Sequence, residues 1–331
     1  MGKAIDLITV GDSTIDTYIK IEDASVFCDI NSKDCKICIE YGSKIPVEAI
    51  AHGVAGNAAN VAVATSVLGL KSGIYTNLGK DTQGDLIKNA LVSKGVLADY
   101  IVESSDKSSN LSVVLTFQGE RTIFVYHQNW DYKLPVDMTP SGWLYLTSMA
   151  ETFTKSNLME EVCRYVDKTG SKLVFAPGTY QLKADIKKYP RVLERCEILI
   201  VNLEEARKIL GLEDLDGINI RDILSKLLLM GPKIVVVTSG DEGSYASDGK
   251  EYLRLGIYPT HVVEKTGAGD AYSAAFVSAL NYGMKFSEAM VWGSINSAHA
   301  ISSIGAQNGL MGREEIERYR ATVPEFVASA L

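Results

Sequence analysis

What this chain of 331 residues lacks narrows its class. It has no run of about 18 apolar residues, so nothing in it reads as a membrane-spanning helix. The opening M-G-K-A-I-D-L-I-T-V has too short an apolar stretch for a signal peptide. It also lacks Ser or Thr at the sixth position, which argues against N-myristoylation. Cytosol is the expected location. Cysteine is scarce, with only Cys28, Cys35, Cys38, Cys163 and Cys196. The odd count and the missing secretion signal argue against a disulfide framework. Cys35-x-x-Cys38 has metal-ligand spacing, but no second such pair follows, so reduced thiols are expected rather than a zinc site. Basic charge is short too: 33 Lys and Arg face 41 Asp and Glu, a net charge of −8. That balance excludes non-specific binding to nucleic acid or acidic membranes. Neither the dinucleotide fingerprint G-x-G-x-x-G nor the P-loop G-x-x-x-x-G-K-[ST] occurs, which disfavours an NAD oxidoreductase and a Walker-type NTPase. A phosphate site in so acidic a chain has to be local. No repeat or low-complexity tract interrupts the sequence.

What is present centres on Val262 to Leu280. Thr266-Gly267-Ala268-Gly269-Asp270 is rich in helix breakers, and the small apolar run after it is long enough for about three helical turns. The loop therefore opens a helix, whose first N–H groups have no internal partner and carry the positive end of the helix dipole. Gly267 and Gly269 let the backbone turn sharply and approach a ligand closely. The result is an anion cradle. Asp270 either caps the helix or takes a proton from an attacking hydroxyl while the N–H groups hold a phosphate gaining charge.

Elsewhere the pattern is strand and turn, then strand and helix. Ala4 to Val10 reads as a buried strand ending at Gly11-Asp12-Ser13-Thr14-Ile15-Asp16. Thr17 to Ile21, Lys36 to Tyr41 and Val47 to Ala51 have strand character, with a long connection over Asp23 to Asp34. With the hairpin Ser108 to Gln118 and Arg121 to Gln128, turning at Gly119-Glu120, they suggest a small antiparallel sheet. Tyr126, His127, Trp130 and Tyr132 at the hairpin's end offer aromatic faces to a base or a sugar. Helices are expected over Ala58 to Leu68, Gly84 to Lys94, Lys155 to Lys168 and Ser287 to Ser303. Strands are expected over Lys71 to Leu78, Leu144 to Thr147, Lys172 to Phe175, Glu197 to Val201 and Lys233 to Thr238. This alternation implies an α/β fold, a doubly wound and mostly parallel sheet with helices on both faces. The turns after residues 10, 238 and 266, and Asn202, follow strands and so converge on one edge, where such sheets bind ligands.

The stretch T-G-A-G-D-A-Y-S-A-A-F resembles the C-terminal signature of the ribokinase (PfkB) family of sugar and nucleoside kinases. The resemblance spans the chain and implies a ribokinase-like fold. It implies a large domain over 1–15, 52–105 and 133–331, with a β-sheet lid from 16–51 and 106–132 over the substrate. By that resemblance, Gly267, Ala268 and Gly269 form the anion hole and Asp270 is the catalytic base. Asp16 of the Gly-x-x-x-x-Asp element, with Gly56, Asn57 and Asn60, binds the substrate, although Ala55 replaces the family's first glycine. Asp81 falls in a Gly-x-Asp-x-x-Gly match and also suits a helix cap. Asn202 and Glu205 match Asn-x-x-Glu, which organises the ATP phosphates and Mg2+ through water; read alone, they are a helix cap and a first-turn Glu. Thr238, Gly240 and Gly243 match the nucleotide loop, and Asn296 is expected near the base. Ala176 stands where relatives carry Asp or Asn. Many relatives need K+, for which Glu264, Ala300, Ser303 and Gly305 are the candidates here. Glu264-Lys265 replaces the usual Asp-Thr, so K+ dependence stays open. The implied activity is transfer of the γ-phosphoryl of ATP to a hydroxymethyl of a ribose-like or other free sugar. A nucleoside kinase and a non-catalytic sensor on the same fold are the alternatives. Relatives also pair their lids, so a homodimer is expected.

Overall fold

The computed structural model describes residues 5–29, 35–118, 120–212, 217 and 219–331. The expected strand start at Ala4, the turn residue Gly119, the M-G-K-A segment and residues 30–34 of the expected connection lie outside the described residues.

The large sheet has ten strands. In order they are Ser329–Ala330, Tyr252–Leu255, Ser244–Ser247, Ile234–Thr238, Cys196–Asn202, Lys172–Phe175, Ser141–Leu146, Ile5–Val10, Ser72–Gly79 and Leu97–Ser104. Every pairing from Ile234–Thr238 to Leu97–Ser104 is parallel. The remaining three strands add an antiparallel edge. Ile5–Val10 lies inside the sheet, with later strands added on both sides of it, so the winding is double. Leu97–Ser104, at the far edge, carries no strand expectation from sequence, because its Asp and Glu break the apolar alternation.

Period-two alternation sends neighbouring side chains into two different cores. Leu173, Phe175, Leu199, Val201, Val235 and Val237 face one layer, with Val162 and Cys163 of the Leu158–Thr169 helix and Ile223, Leu224 and Leu227 of Ile220–Leu228. Val174, Ile198, Ile200 and Val236 face the other, with Ala274 and Phe276 of the Ala268–Asn281 helix and Trp292 of Phe286–Ala300. The Ala268–Asn281 helix is buried from Asp270 to Ala279. Its small residues allow the Asn57–Val67 helix to pack closely beside it, which carries Asn57 and Asn60 up to Asp270.

A separate four-stranded sheet runs in the order Val47–Ala55, Thr14–Ile21, Leu111–Phe117 and Glu120–Tyr126. Its outer pairs are antiparallel, but the central pair, Thr14–Ile21 with Leu111–Phe117, is parallel. The expected antiparallel sheet is thus corrected to a mixed one. A hairpin cannot join these two central strands; the chain returns through the large sheet, which leaves either direction open.

The long connection contains a strand of its own: Ser25–Cys28 pairs antiparallel with Cys35–Cys38. That register sets Cys28 opposite Cys35, and the two form a disulfide with Cα atoms 4.0 Å apart. The expectation of reduced thiols is corrected for this pair. Cys38 sits opposite Ser25, exposed and free, while Cys163 and Cys196 are buried and free. Among the described residues there is no metal-binding cluster of His, Cys, Asp and Glu, and no helix is long and apolar enough to cross a membrane.

Candidate active site

At the carboxyl edge of the parallel strands a cleft of about 650 Å³ opens between the two sheets. Asp16, Gly56, Asn57, Asn60, Asn202, Glu205, Thr238 and the whole turn Gly267 to Asp270 line it. Residues far apart in sequence therefore share one cleft.

Asp270 lies in the first turn of the Ala268–Asn281 helix and is only 8% exposed. Asn57 Nδ2 donates to its Oδ1 at 2.8 Å and Asn60 Nδ2 to its Oδ2 at 2.7 Å. Both amides are oriented from behind. Ser148 Oγ donates to Asn57 Oδ1 at 2.6 Å, and Gln307 Nε2 to Asn60 Oδ1 at 3.2 Å. With each amide oxygen taken by a donor, each NH2 is turned toward the carboxylate. Burial pushes the Asp270 carboxyl up to about 6, and the Asn60 and Asn57 hydrogen bonds restrain that rise. Asp270 is thus ionised near neutral pH but close enough to titration to accept a proton.

The two glycines of the turn have different tasks. Gly267 has φ +81°, and a Cβ there would meet Ala306 Cβ at 2.7 Å. It makes the turn and packs against the next loop. Gly269 has open space where a Cβ would be. Ala268 N–H makes a long 3.4 Å bond to the Lys265 carbonyl, whereas the Gly269 and Asp270 N–H groups have no partner among the described residues. The free donors of the cradle are therefore those two.

The other end of the cleft holds two buried carboxylates. Asp16 is pushed up to about 6 by burial, opposed by hydrogen bonds from Ser112 and Tyr18. Asp12 is pushed up to about 7 by burial, opposed by the Tyr132 hydroxyl and the Ala150 N–H. His127 Nδ1 stands 3.8 Å from Asp12 Oδ2 with no hydrogen-bond partner among the described residues, and burial lowers its pKa. Its ring meets Tyr180 edge-on, with centroids 5.6 Å apart. Trp130 and Tyr132, expected at the hairpin's end as stacking faces, are each 3% exposed. Trp130 Nε1 donates to Asn110 Oδ1 at 3.2 Å and Tyr132 holds Asp12, so both are core residues that brace the cleft from behind. Sequence reasoning missed Asp12, Ser148, Gln307 and Arg121. Only Asp12 left a signal, as a carboxylate directly after the strand-ending Gly11.

At the nucleotide end, Asn202 and Glu205 form a reciprocal capping box: Asn202 Oδ1 accepts the Glu205 N–H at 2.8 Å, and Glu205 Oε2 accepts the Asn202 N–H at 2.8 Å. Burial raises the Glu205 pKa, and its other oxygen makes no hydrogen bond among the described residues. One carboxylate oxygen without a caging cluster suits a hydrated Mg2+ held mainly by phosphates. Gly240 and Gly243 lie in the turn behind Thr238 and do not line the cleft. Asn296 does not line it either. It is fully buried, donating to the Ala271 carbonyl at 2.9 Å and accepting the Met311 N–H at 3.1 Å, so the expected place near a base is corrected to a clamp between a helix and a loop. Ala300 is buried at the end of its helix, and Ser303 and Gly305 follow in the next turn.

A doubly wound sheet with a carboxylate beside free main-chain N–H groups at its carboxyl edge, covered by a small second sheet, defines the class of ribokinase-like α/β kinases. The profile of the pfkB family of carbohydrate kinases matches residues 18–311, and the chain belongs to that family. Its members are phosphotransferases with sugar or nucleoside acceptors, and this chain is one of them. It is similar to the ribokinase of Bacillus subtilis (strain 168), 26% identical over 274 residues that cover 79% of this chain and 86% of that one. It is also similar to the nucleoside kinase of Methanothermobacter thermautotrophicus (strain ATCC 29096 / DSM 1053 / JCM 10044 / NBRC 100330 / Delta H), 28% identical over 289 residues, 82% of this chain and 85% of that one. Among solved structures it resembles Arabidopsis thaliana ribokinase complexed with ribose and ATP. There the TM-score is 0.78 at 22% identity, covering 95% of this chain and 98% of that one.

Proposed function

We propose that this chain transfers the γ-phosphoryl of ATP to a hydroxymethyl group of a small ribose-like or other free sugar, with Asp270 as the base. The observation that carries this reading is the buried Asp270 carboxylate, held by two amides beside the unpartnered N–H groups of Gly269 and Asp270. The acceptor O–H gives its proton to Asp270, its oxygen bonds to the γ-phosphorus, and the bond to the bridging oxygen breaks to release ADP. The free N–H groups face the charge developing on the transferring group, and a donor so aimed is worth about 3 kcal/mol. Asp16 accepts hydrogen bonds from acceptor hydroxyls at the other end of the cleft. Glu205, with Asn202, would hold Mg2+ through water; bound there, the ion neutralises charge on the phosphates. The four-stranded sheet acts as a lid that excludes water.

A nucleoside acceptor is the second reading, favoured by the edge-on His127 and Tyr180 rings at the acceptor end. Release of ADP measured over a panel of free sugars, sugar phosphates and nucleosides separates the two. If no acceptor stimulates ADP release, the kinase reading fails. The lid's edge strand Glu120–Tyr126 also presents a small exposed apolar strip, Phe124 and Tyr126, on the face opposite the cleft-lining Ile123 and Val125. A second copy of the chain suits that strip, and a monomer in sedimentation analysis at micromolar concentration would remove the dimer.

A further inference from the structure

The resemblance of the sequence brings a monovalent-cation site to the loop behind the glycine turn, and, among the described residues, its only carboxylate and most of its carbonyls are already committed to protein donors. Glu264 Oε2 accepts the Gly305 N–H at 2.8 Å, and its Oε1 accepts the Thr266 hydroxyl. The Ile301 carbonyl accepts N–H groups from both Val263, at 2.8 Å, and Glu264, at 3.1 Å. The Ile304 carbonyl accepts Asn308 Nδ2 at 2.7 Å. A cation that sheds its water needs a ring of oxygens to replace it; here the Glu264 carboxylate and the Ile301, Ile304 and Gly305 carbonyls already serve protein donors, the last accepting the Asn308 N–H at 3.3 Å.

A positive charge stands in the same place nonetheless. Arg121, on the lid strand Glu120–Tyr126, reaches across the cleft mouth and donates to the Thr266 hydroxyl. Its guanidinium is 3.8 Å from Glu264 Oε1, and that side chain is only 16% exposed. Glu264 in turn ties Thr266, next to Gly267, to Gly305, next to Ala306, the residue on which Gly267 packs. Glutamate, one methylene longer than aspartate, spans both contacts.

We propose that Arg121 is a positioning residue whose guanidinium replaces a monovalent cation behind the anion turn. Turnover is then independent of K+, and closure of the lid completes the turn. A planar guanidinium that can donate to a hydroxyl and neutralise a carboxylate at once suits this task better than a lysine would.

The kinetic arm of the test rests on the kinase reading, so a second arm does not. Melting temperature and acceptor-dependent ADP release are measured in KCl, NaCl and tetramethylammonium chloride at matched ionic strength, for the wild type, Arg121→Ala and Arg121→Gln. Wild-type rates should agree within about twofold, with melting temperatures unchanged between salts. Both variants should raise the acceptor KM more than they lower kcat, and should melt below the wild type in every salt. Wild-type activation of tenfold or more by K+, or wild-type stabilisation by K+, overturns the proposal. So do variants that keep the wild-type melting temperature and acceptor KM. If no acceptor supports turnover, the kinase reading fails and the melting arm still decides the cation question.

Discussion

Replacing Asn60 by Leu tests whether Asp270 works as a base whose proton affinity is set by its two amides. Leucine keeps the volume of asparagine but removes the 2.7 Å donor to Asp270 Oδ2. A hydrogen bond to a charged group is worth about 1.5–3 kcal/mol, equivalent to roughly one to two pH units. The Asp270 pKa should therefore climb from about 6 to roughly 7–8 in the variant. At pH 7 a group with a pKa near 6 is about 90% ionised and one near 7.5 about 25%, so the variant should be about fourfold slower there. The deficit should vanish above about pH 9. The assay is kcat/KM for the best acceptor from pH 5 to 9.5, since its acidic limb reports the free enzyme. If Asn60 only grips the substrate, the whole curve drops at every pH and the limb stays where it was. An unshifted acidic limb would refute the reasoning.

Asp270→Asn should fold with an unchanged melting profile and lose about 10²–10⁴ in kcat; near-normal turnover would remove the base assignment. Gly267→Ala puts a methyl 2.7 Å from Ala306 Cβ at φ +81°; urea unfolding should show a loss of about 1–3 kcal/mol, together with lower activity. Asp12, Asp16 and Asp270 are all raised in the folded chain, to about 7, 6 and 6. A carboxyl whose folded pKa lies above its unfolded value contributes stability that is complete below about pH 4 and is lost as pH rises through the folded value. For Asp12 the shift of about three units corresponds to about 4 kcal/mol. Urea midpoints should fall between pH 5 and pH 8, and Asp12→Asn should flatten that slope; a wild-type midpoint that does not fall with pH contradicts it.

The chemistry readable in the sequence is the chemistry whose parts are neighbours in the chain. Gly267, Ala268, Gly269 and Asp270 sit within one turn, and Asn202 with Glu205 within another, so their helix starts follow from local rules alone. The alternation of Val235, Val236 and Val237 likewise declares a strand covered on both faces. What could not be read is what the sheet order decides. Asn57 and Asn60 are three residues apart on one helix face, which marks them as a pair, but nothing local says that their shared partner is Asp270. That follows from packing the Asn57–Val67 and Ala268–Asn281 helices side by side on the same face of the sheet. Trp130 and Tyr132 fail as lid aromatics for the same reason. Local sequence places them beyond a hairpin, while the topology folds that segment back behind Asp12. A buried carboxylate must find a donor, and Tyr132 is the donor that Asp12 finds. The same logic ties Glu264 to Gly305 and Arg121 to Thr266. In each case a charged or polar group enters a low-dielectric site and its partner arrives from another element. The residues that tune this site are therefore set by the fold rather than by any motif.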